Sequence, residues 1–311
     1  RVNLKDSITF ILPLTSQPRY HKRITAFKEA GYDCNVFSFE RKYFEGNAKK
    51  LSYIPLGKLK HGSYFNRIFS MLRAMIVLIK HKDILKKTSK FYVFGFDNLM
   101  LITIIKRLLN IKTPIIYEVA DIREIMLGSG IKSNFARKLE KLFIKRAALV
   151  TTTSPYYIDS YFTKELEIDK KNIFVIENKL YSPVPEPIKR EPWDGSRELV
   201  IGYFGLLRCQ RTWDLLYELA KSNPSTVKVY IRGYLLGLDN FETRIQSTKN
   251  LIYQGEYRSP DDLAEIYNKV DISIVGNISS NTENAKLALP NRLYESLYYH
   301  VPMIAHKGTG V

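Results

Sequence analysis

Short apolar runs alternate with helical patterns along this chain, and that alternation leaves few folds open. Residues 8–14 read ITFILPL, a buried strand. Residues 19–30 follow a polar turn as a helix, with Ile24 and Phe27 three apart and Gly31 as its stop. Residues 33–39 alternate as a second strand. Strand, crossover helix and strand make a βαβ opening with parallel strands. The pattern recurs, with strands expected at 91–94, 114–119, 149–153 and 173–177, then at 199–204, 227–233, 250–253 and 271–275. The fold class is therefore α/β. The first turn lacks a Gly-x-Gly-x-x-Gly loop, which argues against an NAD site.

At 311 residues the chain suits two domains of about 150 residues each. Residues 181–197 divide it. They hold Pro183, Pro185, Pro187 and Pro192 without periodicity and read as a stiff linker between domains 1–180 and 198–311. Cys34 and Cys209 are too few and too far apart for a disulfide framework or a metal cluster. The longest apolar run, 74–79, is far short of a membrane span. No secretory signal is visible, although the chain begins at Arg1 rather than Met. A cytoplasmic location is the expectation.

The net charge of +17 is uneven. Residues 1–190 hold 35 Lys and Arg against 17 Asp and Glu, while residues 191–311 hold 13 against 14. One half alone thus calls for a polyanionic partner, either nucleic acid or anionic lipid headgroups. Residues 63–87 are the densest basic segment. Arg67, Arg73, Lys80, Lys82, Lys86 and Lys87 interleave with Phe65, Ile68, Phe69, Leu72, Met75, Ile76 and Ile79 at helical spacing. That apolar face is either core or a membrane-docking surface. In the second case each basic residue contributes about 1 kcal/mol at an anionic bilayer.

Two stretches in the second half carry chemistry. Residues 199–204 run as a strand into Gly205, then Arg208, Cys209 and Arg211, with a helix expected from Thr212. A strand, a glycine turn and a helix bring backbone close to a phosphate. Arg208 and Arg211 can each offer a guanidinium fork to diphosphate oxygens. Residues 290–305 read PNRLYESLYYHVPMIA: a turn, a helix capped by Asn291, and an apolar strand. The free N–H groups of Arg292 and Leu293 and the charge of Arg292 suit a phosphate. Glu295, one turn on, suits vicinal hydroxyls such as those of a ribose. The alternative is a plain packing element with a surface Arg and Glu. In the first half, Asp121, Arg123 and Glu124 follow the strand at 114–119, at the end where ligands gather in such sheets. Asp121 serves equally well as a helix N-cap.

The string Pro-Asn-Arg-Leu-Tyr-Glu-Ser-Leu followed by Val-Pro-Met-Ile-Ala resembles the donor-binding signature of GT-B glycosyltransferases, family 4 in particular. The resemblance implies two Rossmann-like, doubly wound domains facing a cleft. The second would be truncated, since family members normally continue past the point equivalent to Val311. It implies transfer of a sugar from a UDP- or GDP-linked donor to a lipid-linked or saccharide acceptor, in cell-surface polysaccharide synthesis. Reaction with retention, without metal or other cofactor, is part of that expectation. Position by position, Glu295 matches the ribose-binding glutamate, and Asn291, Arg292 and Leu293 match the phosphate-binding helix start. Gly205, Arg208 and Arg211 match the pyrophosphate loop, and Tyr257 would flank the base. Asp121 matches an acceptor-side residue and is the candidate catalytic group. Two positions depart: Leu287 stands where many members carry a sugar-binding Glu, and His300 where Gly is usual. His300 reads as a left-handed helix cap. The basic first domain would hold the enzyme on the inner face of an anionic membrane. A basic nucleic-acid-binding module and a nucleotide-sugar epimerase of the same fold are the alternatives. No helix-turn-helix, zinc pattern or aromatic RNA-binding strand favours the first of these.

Overall fold

The structure is a computed structural model that describes residues 6–40, 51–58, 64–181, 184–188, 191–276 and 286–311, the side chains of 64–67 excepted. Phe65, Arg67 and Pro183 lie outside the described side chains. The chain forms two compact units, 1–176 and 177–311.

The first unit holds a seven-stranded parallel sheet in the order β3-β2-β1-β4-β5-β6-β7. Its strands are β1 (Ser7–Leu12), β2 (Asp33–Glu40), β3 (Ile54–Lys58), β4 (Lys90–Phe94), β5 (Ile115–Val119), β6 (Leu149–Thr152) and β7 (Ile173–Val175). Ile8, Phe10, Ile11 and Leu12 are all buried, as a strand covered on both faces requires. Its helices are α1 (Pro18–Glu29), α2 (Tyr64–Lys80), α3 (Lys82–Lys87), α4 (Phe96–Leu108), α5 (Glu124–Leu127) and α6 (Ile131–Ile144). The basic segment 63–87 is thus two helices, separated at His81. Edge strand β3 escapes the sequence pattern because Pro55 and Gly57 sit inside it. It still pairs with β2, with a register shift at Ser38/Phe39.

The second unit holds a five-stranded parallel sheet in the order β10-β9-β8-β11-β12. The strands are β8 (Leu199–Leu207), β9 (Val227–Leu235), β10 (Leu251–Tyr253), β11 (Ile272–Val275) and β12 (Met303–Ala305). The helices are α7 (Gln210–Ser222), α8 (Phe241–Ser247), α9 (Leu263–Tyr267) and α10 (Asn291–Tyr298). The proline-rich segment belongs to this unit rather than standing free of it. Leu180 and Val184 pack against the core cluster around Phe204, Tyr267 and Tyr299. Tyr299 Oη also donates to the Pro185 carbonyl at 2.9 Å.

Strand order reverses between β1 and β4 in one unit and between β8 and β11 in the other. In open α/β sheets, ligands bind beyond the carboxyl ends of strands at such switch points. Gly205 and Arg208 sit at the end of β8. Asp121 follows β5, the neighbour of β4.

Candidate functional site

The end of β8 is shaped by two glycines. Gly205 (φ +93°) pairs with Gly233 (φ +143°) across β8 and β9. A methyl group on Gly233 would lie 1.9 Å from the Gly205 carbonyl oxygen, so the two backbones approach as only glycine permits. A methyl group on Gly205 would sit 3.8 Å from Tyr257 Oη and 4.0 Å from Arg292 Cδ. Gly205, Tyr257 and Arg292, far apart in sequence, therefore meet at one place.

Arg292 is partly buried, and its guanidinium carbon stands 5.8 Å from the Tyr203 ring centroid. Its Nη1 is buried and has no hydrogen-bond partner among the described residues. A buried guanidinium nitrogen without a partner is costly, and an incoming anion removes that cost. Burial and the nearby Glu295 carboxylate push the Tyr257 hydroxyl pKa upward, while Arg292 and Arg232 oppose them. Tyr257 therefore stays neutral and can donate a hydrogen bond.

Glu295 is 3% exposed and accepts from Tyr267 Oη at 2.9 Å. It lies one turn into α10, on the side facing α9, with Tyr257 near enough to feel its charge. Two expectations for α10 need correction. Asn291 is not the N-cap: Pro290 takes that position, Asn291 is the first helical residue, and its Oδ1 accepts from Asn178 Nδ2. Leu293 does not offer a free N–H, because it donates to the Pro290 carbonyl at 3.1 Å. The cause is the same in both cases. Proline's fixed φ lets the chain enter the helix one residue early, and the first turn closes tightly behind it. Arg292 thus has the charge to hold a phosphate and Leu293 does not add a donor. At the other end His300 is left-handed (φ +54°), as expected. Its N–H reaches Leu297 O and that of Val301 reaches Ser296 O, which closes a Schellman cap.

Helix α7 begins at Gln210, two residues earlier than expected, with buried Cys209 at its N-cap position and Thr212 Oγ1 donating to Cys209 Sγ at 3.0 Å. Arg208 and Arg211 are exposed on the turn and the first turn, and neither pairs with a carboxylate among the described residues.

Arg232 is a residue that the sequence reading missed. It is buried in β9 and clamps the turn that carries Tyr257. Its Nε donates to Gly255 O at 3.2 Å and its Nη2 to Glu256 O at 2.8 Å. The signal was available: an Arg inside the strand VKVYIRG must be buried with partners or turned outward. Arg232→Met should remove the Glu256 carbonyl's donor and one of the two donors on the Gly255 carbonyl, which the Gly233 N–H also serves, loosen the turn and weaken nucleotide binding about tenfold. Isothermal titration with UDP measures this.

In the first unit, a cavity of about 80 Å³ opens beyond β4 and β5, lined by Arg19, Tyr20, Phe94, Glu118, Asp121 and Arg123 among others. Asp121 is 62% exposed and pairs with Arg19 Nη1 at 3.4 Å. It is not a helix cap, since Arg123 holds that position for α5. Glu118 is buried. Its Oε2 accepts from Arg23 Nε at 3.1 Å and from Tyr92 Oη, while Oε1 has no partner among the described residues. Glu140 accepts from Tyr117 and Tyr161, and burial raises its pKa. Among the described residues no group of three or more His, Cys, Asp or Glu is placed to hold a metal.

No protein-family model matches the chain. The succinoglycan biosynthesis protein ExoL of Rhizobium meliloti is 30% identical over 275 residues, which are 82% of this chain and 65% of that protein. The chain thus spans just under two thirds of this relative's length. Among solved structures, sucrose-phosphate synthase from Thermosynechococcus elongatus superposes with TM-score 0.69 at 13% identity, over 97% of this chain and 81% of that one. Anabaena HepE in complex with UDP and glucose gives 0.67 at 14%, over 97% and 81%. The lipopolysaccharide outer core galactosyltransferase WaaB gives 0.61 at 16%, over 96% and 80%. With its two parallel α/β sheets and these structural neighbours, the chain has the GT-B fold.

Proposed function

We propose that this chain is a glycosyltransferase of cell-surface polysaccharide synthesis, taking a hexosyl group from a nucleotide-diphosphate sugar. The observation that carries the reading is Arg292, whose buried Nη1 has no hydrogen-bond partner among the described residues and whose stem lies beside Gly205. A diphosphate supplies the missing acceptor. Arg208 and Arg211 add charge from the start of α7, where the helix dipole is positive. As the glycosidic bond lengthens, negative charge gathers on the leaving diphosphate, and these cations stabilise it without a metal or other cofactor. Glu295 takes the ribose hydroxyls once Tyr267 yields or shares its carboxylate. Tyr257 borders the base. HepE bound to UDP and to UDP-glucose favours a uridine donor.

The first unit takes the acceptor, lipid-linked or saccharide. Asp121, at the mouth of its cavity, is the candidate group to receive or orient the acceptor proton. Reaction with retention is part of the same proposal. So is a site of action at the inner, anionic membrane surface. No helix among the described residues is long and apolar enough to cross a membrane. Nothing in the fold favours nucleic acid as a partner.

Thermal unfolding with UDP, UDP-glucose and GDP tests the donor site. At a hundred times its dissociation constant a bound nucleotide stabilises by about 2.7 kcal/mol. Melting unmoved by all three nucleotides would remove the reading.

A further inference from the structure

Three neighbouring helices of the first unit turn apolar side chains outward. On α2, Ile68, Phe69, Leu72, Ile76 and Ile79 are exposed, Phe69 at 70%. Their spacing places all five in one sector of roughly 100°. Ala74 and Leu78, on the other side, are fully buried. The apolar stripe legible in the sequence is therefore the outer face of this helix, and a smaller set forms its core contact. Helix α4 packs beside α2 and exposes Ile104 and Leu108, one turn apart. Helix α6 packs beside α4 and exposes Ile131 at 89%, Phe135 at 67% and Leu142, again on one face. Apolar rows this exposed on three neighbouring helices mark an interaction site.

The charge around it selects the partner. Arg73, Lys80, Lys82, Lys86, Lys87, Arg107, Lys132 and Lys138 are all exposed on α2, α3, α4 and α6. The acids on these helices are Asp83, Asp97, which pairs with Arg123, and Glu140, which is buried. A second copy of this chain would bring cations against cations, which like-charge repulsion opposes. An anionic bilayer meets both demands, with acyl chains for the apolar rows and headgroup phosphates for the cations.

We propose that the outer face of α2, α4 and α6 docks on an anionic lipid bilayer by apolar insertion together with charge. This deepens the reading of the chain as an enzyme working at a membrane surface, and commits it to more than electrostatic attraction.

The test is co-sedimentation of the full chain with vesicles of phosphatidylcholine alone and of phosphatidylcholine with equimolar phosphatidylglycerol. The wild type should partition to the mixed vesicles and only weakly to the neutral ones. The triple variant Phe69→Ser, Leu72→Ser, Ile76→Ser should lower partition about tenfold or more, and Ile131→Ser with Phe135→Ser on α6 should lower it as well. Both variants should keep the UDP-dependent melting shift, which shows that they fold. Three results would overturn the proposal. One is absence of binding to the mixed vesicles. Another is apolar variants that bind as the wild type does. The last is a wild-type dimer that the variants convert to monomer, which would give the face to a second copy. Vesicle binding without any UDP effect would defeat the glycosyltransferase reading and leave this surface standing. The reverse would defeat the surface alone.

Discussion

Gly233→Ala should destabilise the second unit by about 3 kcal/mol or more and abolish UDP binding. Its φ of +143° already excludes ordinary side chains, and the added methyl would meet the Gly205 carbonyl at 1.9 Å. Neither backbone can retreat, because β8 and β9 are paired from Leu199↔Val227 to Leu207↔Leu235. Strain of this kind costs 1–3 kcal/mol in conformation alone, before the clash is relieved by opening the ladder. For a unit of this size the melting temperature should fall by about 10 °C. Scanning calorimetry with and without UDP reads both effects. Gly237→Ala makes a suitable control: it is also left-handed (φ +68°), yet a methyl group there meets nothing within 4 Å. It should cost less and keep nucleotide binding.

The second large effect has opposite signs in its two readouts. Arg292→Ala should lower UDP affinity by about 100-fold, near 2.8 kcal/mol, the loss of a charge-assisted contact made in a desolvated place. The unliganded protein should melt no lower than the wild type, because the change removes a buried Nη1 donor that has no hydrogen-bond partner among the described residues. A purely structural arginine gives the reverse: stability falls and affinity changes only as the fold loosens. Arg292→Lys should recover part of the affinity, since the charge remains but the planar fork is lost.

Much of this architecture was legible in the sequence, for identifiable reasons. Parallel strands covered on both faces read as unbroken apolar runs, so β1, β4, β5, β8 and β9 were visible. Strand β3 was hidden because Pro55 and Gly57 are tolerated only at an edge, and an edge leaves little pattern. Helix α10 was found, but its first residue was misplaced. Asn291 is a good cap by type, yet Pro290 fixes the entry and Asn178 takes the Asn291 side chain instead. No local rule reports a partner 113 residues away. The candidate donor residues illustrate the same limit. Gly205 and Arg292 stood out by type, and their approach to each other depends on strand order, which spacing does not give. Arg232 and Tyr267 were passed over because each acts through a partner distant in sequence: the Gly255–Glu256 turn and Glu295. The amphipathic pattern of α2 was plain, but which side faced the core was not. Periodicity finds a face and leaves its direction open.

The claim on which the rest depends is that the end of β8 and the start of α10 share one diphosphate. A structure of the chain with UDP bound tests it most directly. The account predicts diphosphate oxygens within hydrogen-bond distance of the Arg292 guanidinium, over Gly205 and beside Tyr257. UDP bound elsewhere, with Arg292 Nη1 still unpartnered, would contradict it.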